Sequence, residues 1–374
     1  MTLLRLQFAV AAALGVTLGA AAEARDLRVA SGAPPAHPAT SHLYGALAEY
    51  LPQESGGEMN AIMLGPEVVG LGQMKDALQT GLVDVGNLLP LYFPAELPNF
   101  ALAGELSLSA RDAHAMAAAL TEYTVMCESC QAEISAFGIV YLGSGSSDPY
   151  MLLTTRPVKT AGDLSGMRLR SGGAPYSRWA EHFGAVPVSI SVLETFEAMS
   201  TGTIDGSMAS IGDLLAFRLV ELVKDVTAVP LGTYFSTSNF ATAKPTWADM
   251  SVEEREALLK AANRANANFT QRWGYEFAGI ARKAAEEAGI EFVEADPALV
   301  EAAADFNVAD RATAAAISKE RFGMDDADAR VAEFIALVEK WEVISDEVGH
   351  DRDAMIERVW QEVWSKVDLA SYGM

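Results

Sequence analysis

The chain has 374 residues, half of them hydrophobic. It is too long for one comfortable core and too apolar for disorder, so two lobes or domains are expected. A formal net charge of −23 disfavours nucleic acid and anionic lipid as partners, and a bound anion would have to be drawn in by local cationic groups.

Arg5 precedes an apolar run, Phe8 to Ala22, which ends in the small-x-small pattern Ala22-Glu23-Ala24. This reads as a secretory signal peptide over residues 1–24, cleaved after Ala24. The run is shorter than the ~20 apolar residues of a spanning helix. No Cys follows the cleavage region, which argues against a lipid anchor, and no later segment is apolar enough to cross a bilayer. A soluble, exported, periplasmic protein is expected.

The first lobe opens with a strand at Asp26–Ala30 and a Gly/Pro-rich loop at Ser31–Pro38. A helix over Thr40–Leu51 follows, then strands at Ala61–Leu64 and Val83–Asn87. This alternation implies a largely parallel sheet, with ligands at the carboxyl ends of its strands. A helical pattern runs from Arg111 to Phe137. Strands at Ile139–Leu142 and Met151–Thr154 flank the polar turn G-S-G-S-S-D-P-Y, where the chain is expected to cross to a second lobe. There, strands Met167–Arg170 and Val186–Val188 alternate with helices Tyr176–Phe183 and Val192–Ser200. Leu231–Phe240 crosses back.

Two segments echo each other: Met74-Lys-Asp-Ala-Leu-Gln-Thr-Gly-Leu-Val-Asp84 and Phe196-Glu-Ala-Met-Ser-Thr-Gly-Thr-Ile-Asp205. Each reads as a helix end, a Gly cap and a strand carrying Asp, as two lobes built on one unit would show. Ser251-Val-Glu-Glu254 is a capping box. The helix it opens places Leu258, Ala262, Ala265, Phe269, Trp273, Phe277 and Ile280 on one face, and either runs unbroken to Gly289 or breaks near Gly274 or Gly279. Beyond Asp325 come two more amphipathic helices, which either pack on the body or form a dimer surface.

Cys127 and Cys130 lie within the Arg111–Phe137 pattern. In an oxidising compartment the gap fits a small structural disulfide; free thiols and a redox or metal pair are the alternatives. Zinc would need two further ligands, and no second C-x-x-C or paired His accompanies them.

The stretch Arg156–Gly206 reads R-P-V-K-T-A-G-D-L-S-G-M-R-L-R, then H-F-G-A-V-P-V, then A-M-S-T-G-T-I-D-G. With A-L-Q-T-G-L-V-D-V-G-N at Ala77–Asn87 and the Pro-free run Ala248–Phe292, it resembles solute-binding proteins of tripartite ATP-independent periplasmic (TRAP) transporters, from about Asp26 to Asp310. The resemblance implies an α/β, two-lobed, periplasmic-binding-protein-like fold (type II) with a long lobe-spanning helix. The division expected is lobe I at 25–147 with a return at about 238–275, lobe II at 148–237 with a return at about 276–325, and a C-terminal helical extension at 326–374.

In that family the second Arg of the L-x-G-x-x-x-R strand clamps a carboxylate, a role that falls on Arg170. A guanidinium fits a carboxylate through two parallel hydrogen bonds, and Ser171-Gly172-Gly173 leaves room for approach. Arg168 is the weaker candidate. Tyr150 stands where some relatives carry a second Arg, which speaks against a dicarboxylate and for a monocarboxylate or aromatic acid. Glu67, Asn87, Tyr92, Phe93 and His37 are placed by topology on the first-lobe wall, and Tyr234 and Asn239 near the crossover. Glu194 and Asp205 are read as structural, and Trp179 as core.

The five His residues show no metalloenzyme spacing, and no G-x-S-x-G elbow or P-loop is present. No catalytic residue, metal or cofactor is assigned. The expectation is a receptor for a small organic acid that delivers it to membrane transporter subunits, monomeric unless the C-terminal helices pair. A secreted two-domain enzyme acting on an anionic substrate is the alternative.

Overall fold

A computed structural model of the chain describes residues 24–109 and 111–374. The signal peptide expected over residues 1–24 lies almost wholly outside the described residues.

Two sheets form the frame. The first has the order β2-β1-β3-β10-β4, built from β1 (Arg25–Ala30), β2 (Met59–Leu64), β3 (Val85–Leu88), β4 (Ile139–Val140) and β10 (Ser238–Ala243). The second has the order β11-β9-β5-β8-β6-β7, built from β5 (Met151–Thr154), β6 (Arg168–Ser171), β7 (Val186–Ser189), β8 (Gly206–Ala209), β9 (Asp225–Thr227) and β11 (Glu291–Val293). β1 lies between β2 and β3 in parallel, and β6 lies between β7 and β8 in parallel. Beyond each parallel trio runs one antiparallel strand, β10 beside β3 and β5 beside β8. The chain swaps sheets to supply both, which ties the lobes together.

The echo between Met74–Asp84 and Phe196–Asp205 therefore has a physical basis. Asp84 accepts from the Arg28 backbone amide at 2.8 Å and from the Arg28 guanidinium at 2.9 and 3.0 Å. Asp205 accepts from the Arg168 backbone amide at 2.9 Å and from its guanidinium at 3.0 and 2.6 Å. Arg168 is thus a frame residue, and its side chain is partly exposed.

Two antiparallel segments cross between the sheets. The Ser147 amide donates to the Tyr234 carbonyl at 3.0 Å, and the Tyr150 amide to the Gly232 carbonyl at 2.7 Å. Ser144, Ser146, Ser147 and Asp148 are buried in this crossing; the Ser144 hydroxyl donates to the Thr237 carbonyl, that of Ser146 to the Thr233 hydroxyl, and that of Ser147 accepts from the Tyr234 amide. Asp148 accepts from the Ser210 hydroxyl and from the Ile211 amide at the end of β8. Burial raises its carboxyl to about 7 despite those bonds.

The long helix is a third connection. It opens on the Ser251–Glu254 capping box and runs Val252–Gln271, then as a π-helical turn over Arg272–Glu276, then Phe277–Glu287. The expected break at Gly274 is this turn. A Cβ on Gly274 would lie 2.4 Å from that of Ala113, so only glycine fits against the Ala113–Met126 helix. A π-turn adds one residue to the helical count. Downstream the buried face shifts accordingly: Ala281 is buried, while Ile280, expected inside, is 44% exposed.

Other differences from the sequence reading are local. The pattern read over Arg111–Phe137 is two helices, Ala113–Met126 and Glu128–Phe137, with Cys127 ending one and capping the next. Cys127 and Cys130 form a disulfide across that break. A further helix, Pro297–Phe322, had no sequence expectation; its interior is Ala-rich, with little amphipathic contrast. The helices Ala327–Glu347 and Arg352–Glu362 pack on the body. Trp341 is buried and donates to Glu122 at 2.6 Å; the Trp247 indole donates to the Tyr372 carbonyl at 2.7 Å. Among the described residues no helix is long and apolar enough to cross a membrane.

Candidate functional site

Between the sheets lies a cavity lined by residues of both. Arg170 enters it from β6 and is only 2% exposed. Its Nε donates to the Ile190 carbonyl at 3.2 Å. Among the described residues no carboxylate lies within ion-pair distance of it, and its two terminal nitrogens have no hydrogen-bond acceptor. Gly172 flanks the guanidinium instead of lining the cavity; a Cβ there would sit 3.2 Å from Nη1. A buried cation without a counter-ion is costly, and an incoming anion removes that cost.

The other expected wall residues mostly converge here. His37, Asn87, Tyr92, Tyr150, Tyr234 and Asn239 all line the cavity with Arg170. Tyr150 stacks between Tyr176 and Tyr234, with ring centroids 5.0 and 6.1 Å away. Tyr176 is buried behind it, with its hydroxyl on the Thr233 carbonyl at 3.3 Å. Glu67 is not part of the cavity: it is exposed, and its carboxylate folds back over Gly65. Phe93 turns away and packs against Phe137. Glu194 caps the short helix that begins at Val192, and Trp179 is core, both as expected.

Several lining residues carried no sequence signal. Phe269 and Trp273, on the long helix, stack with centroids 5.0 Å apart and form an aromatic wall with Phe217 and His37. Their four-residue spacing had marked them as core. Asp213 also faces the cavity, and its carboxyl has no hydrogen bond to the described residues. Burial pushes it up to about 7, while nearby Arg170 pulls it down and Asp148 pushes it up further.

The His37 Nδ1 accepts from the Ala39 amide at 3.1 Å. Burial lowers the ring's pKa to about 4, so it is neutral near pH 7 and carries its proton on Nε2. The site thus presents one cation, the Asp213 carboxyl, neutral polar groups and aromatic faces. Among the described residues no group of three or more His, Cys, Asp or Glu is arranged to hold a metal ion.

A two-sheet α/β frame with a buried arginine facing the cleft between the sheets has the layout of a binding protein with an anion-compatible pocket. The sequence model for bacterial extracellular solute-binding protein, family 7 (DctP), matches residues 29–310, and the chain belongs to this family. It is 30% identical over 105 residues to a solute-binding protein of Albidiferax ferrireducens, covering 28% of this chain and 31% of that one. It is 28% identical over 161 residues to one of Roseobacter denitrificans, covering 42% of this chain and 47% of that one. The aligned stretches therefore span less than half of either relative.

Solved structures align over more of the chain. A TRAP periplasmic solute-binding protein of Bordetella bronchiseptica, bound to (R)- and (S)-mandelate, superposes with a TM-score of 0.73 at 26% identity, covering 84% of this chain and 99% of that one. A marine-metagenome TRAP protein specific for aromatic acids, bound to 3-hydroxybenzoate, gives 0.76 at 23% identity, with 85% and 99% covered. One from Rhodoferax ferrireducens with benzoate gives 0.75 at 18% identity, with 86% and 99% covered.

Proposed function

We propose that this protein is a periplasmic receptor that captures a small organic acid and delivers it to a TRAP-type membrane transporter. The carrying observation is Arg170, buried in the cleft; among the described residues its two terminal nitrogens are unpaired and no carboxylate lies within ion-pair distance. A ligand carboxylate supplies the missing acceptors through a bidentate pair. The single cation favours a monocarboxylate, and the ring faces of Phe217, Phe269, Trp273 and Tyr150 favour an aromatic one. The bound mandelate, benzoate and 3-hydroxybenzoate of the similar structures support this class.

Closure follows from the placement of the groups. Arg170 belongs to the second sheet, whereas Asn87 and Asn239 belong to the first, so an acid touching both favours the closed form. Thermal unfolding of refolded, ligand-free protein against mono-, di-, keto and aromatic acids tests the proposal. A ligand at about a thousand times its Kd adds about 4 kcal/mol. A rise confined to monocarboxylates supports the assignment; no rise with any acid contradicts it.

A further inference from the structure

The carboxylate reading leaves the opposite wall of the cavity unexplained. Asn87 stands on β3 and Asn239 on β10, neighbouring strands of the first sheet. The pairing of β10 with β3 slips between the Ser238–Leu88 and Ala241–Gly86 partners, so Asn239 and Phe240 together oppose Asn87. Such bulges re-aim side chains and gather at sites. Here both amides line the cavity.

The orientation of each amide is fixed from behind by a backbone carbonyl, which can only accept. The Asn266 Nδ2 donates to the Leu142 carbonyl at 3.0 Å, so Asn266 turns its oxygen forward. That oxygen takes the Asn239 Nδ2 at 2.8 Å, which leaves the Asn239 Oδ1 as an acceptor. The Asn87 Nδ2 faces the Ser31 carbonyl at 3.4 Å; reversing the amide would oppose two oxygens. Both Oδ1 atoms are buried without any partner. A buried polar atom without a partner is rare; the Tyr234 hydroxyl, a third such atom in this cavity, can donate or accept, but the two amide oxygens can only accept and call for a donor.

We infer that the ligand is an aryl carboxylic acid bearing a hydroxyl group, whose O–H is received by the paired amide oxygens of Asn87 and Asn239 while its carboxylate lies on Arg170. The inference rests on the carboxylate reading and specifies the far end of the same ligand. A phenolic O–H is a stronger hydrogen-bond donor to these amide oxygens than the N–H of an arylamine, which is uncharged near neutral pH. The aromatic wall of Phe217, Phe269 and Trp273 lies in the same cavity and accommodates the ring between the two polar ends.

A site whose acceptors are buried discriminates strongly against a ligand that lacks the donor, because the acceptors then stay unpaired. The test is calorimetric titration with benzoate and phenylacetate, with their 3- and 4-hydroxy derivatives, and with the matching amino derivatives. At least one hydroxy acid is expected to bind about tenfold or more tightly than its parent and than its amino analogue. In Asn87→Ala the preference for the hydroxy acid over its parent should fall to about threefold or less. Asn239→Ala removes the bond to Asn266 as well, so Asn87→Ala carries the test if Asn239→Ala fails to fold.

Equal binding of parent and hydroxy acids would overturn the inference and leave the carboxylate reading standing. A hydroxyl preference that survives in the Asn variants would overturn the assignment to this pair, and a preference for the amino analogue would overturn the choice of a hydroxyl. Failure of every acid to bind would remove the carboxylate reading and this inference with it.

Discussion

Asp205 holds Arg168 by its backbone amide and its guanidinium, the same three-bond grip that Asp84 exerts on Arg28 in the other lobe. In both lobes the carboxylate precedes the third strand of a parallel trio and locks the central strand beside it. Two arginines two residues apart on β6 thereby take different tasks. Arg168 is consumed by the frame, and Arg170 is left for the cleft.

Asp205→Ala is expected to lower the thermal midpoint by a few degrees without altering which acids bind. Asp84→Ala should do the same, because neither carboxylate reaches the cavity. Unfolding curves and acid titrations on both variants check this. A change in ligand preference in either would contradict a purely structural role.

Arg255 is a second buried arginine, and it is satisfied entirely by carbonyls. It donates to Trp247 and Ala248 and, through the last turn of the chain, to Leu369 at 3.0 Å. Removing residues 366–374 strips that acceptor and also uncovers the Trp247 indole. A hydrogen bond to a charged group is worth about 1.5–3 kcal/mol. The truncated protein should lose stability on that order in denaturant unfolding and should keep its acid binding, since no residue of this tail lines the cavity.

The Cys127–Cys130 disulfide closes a very short loop at the break between two helices. Chain-entropy arguments give it at most about 2 kcal/mol. Reduction should therefore lower the midpoint slightly and leave ligand affinity unchanged. Collapse of the fold on reduction would show that the clip does more than hold this break.

Two buried carboxyls set a pH dependence. Asp148 and Asp213 are both raised to about 7 by burial. The unfolded chain releases their protons near pH 4, while the folded chain keeps them until about pH 7. Stability therefore falls as pH rises through this window, and below it the two groups contribute nothing. Each unit of upward shift corresponds to about 1.4 kcal/mol. Asp213→Asn should gain stability relative to the parent as pH rises from 5 to 8, read as a widening gap in thermal midpoints. A gap constant with pH would mean that Asp213 ionises normally.

The two-lobed α/β frame was legible because strands and helices leave local marks, β-branched runs between Gly turns. Arg170 was singled out by the resemblance of its stretch to a family, and the strand order was not read at all. Nor was the cavity's back wall. Phe269 and Trp273 follow the spacing of the buried Leu258 and Ala262, and nothing in a one-dimensional pattern separates a core face from a cavity face. Asp213 sits alone between apolar residues, with no partner in sequence. Ile280 was misplaced because a π-turn shifts the helical register, and its cause, the contact of Gly274 with Ala113, joins residues far apart in sequence. Glu67 had only its loop to recommend it, and its carboxylate turns back on that loop.

The central claim is that Arg170 carries the charge of the ligand. The direct measurement is calorimetric titration of refolded protein with an aryl carboxylic acid and with its uncharged amide, in the parent and in Arg170→Ala. The account predicts that the parent binds the acid and rejects the amide. It also predicts that Arg170→Ala loses about 2–5 kcal/mol of affinity for the acid while unfolding cooperatively. Undiminished binding of the acid by a folded Arg170→Ala would contradict it.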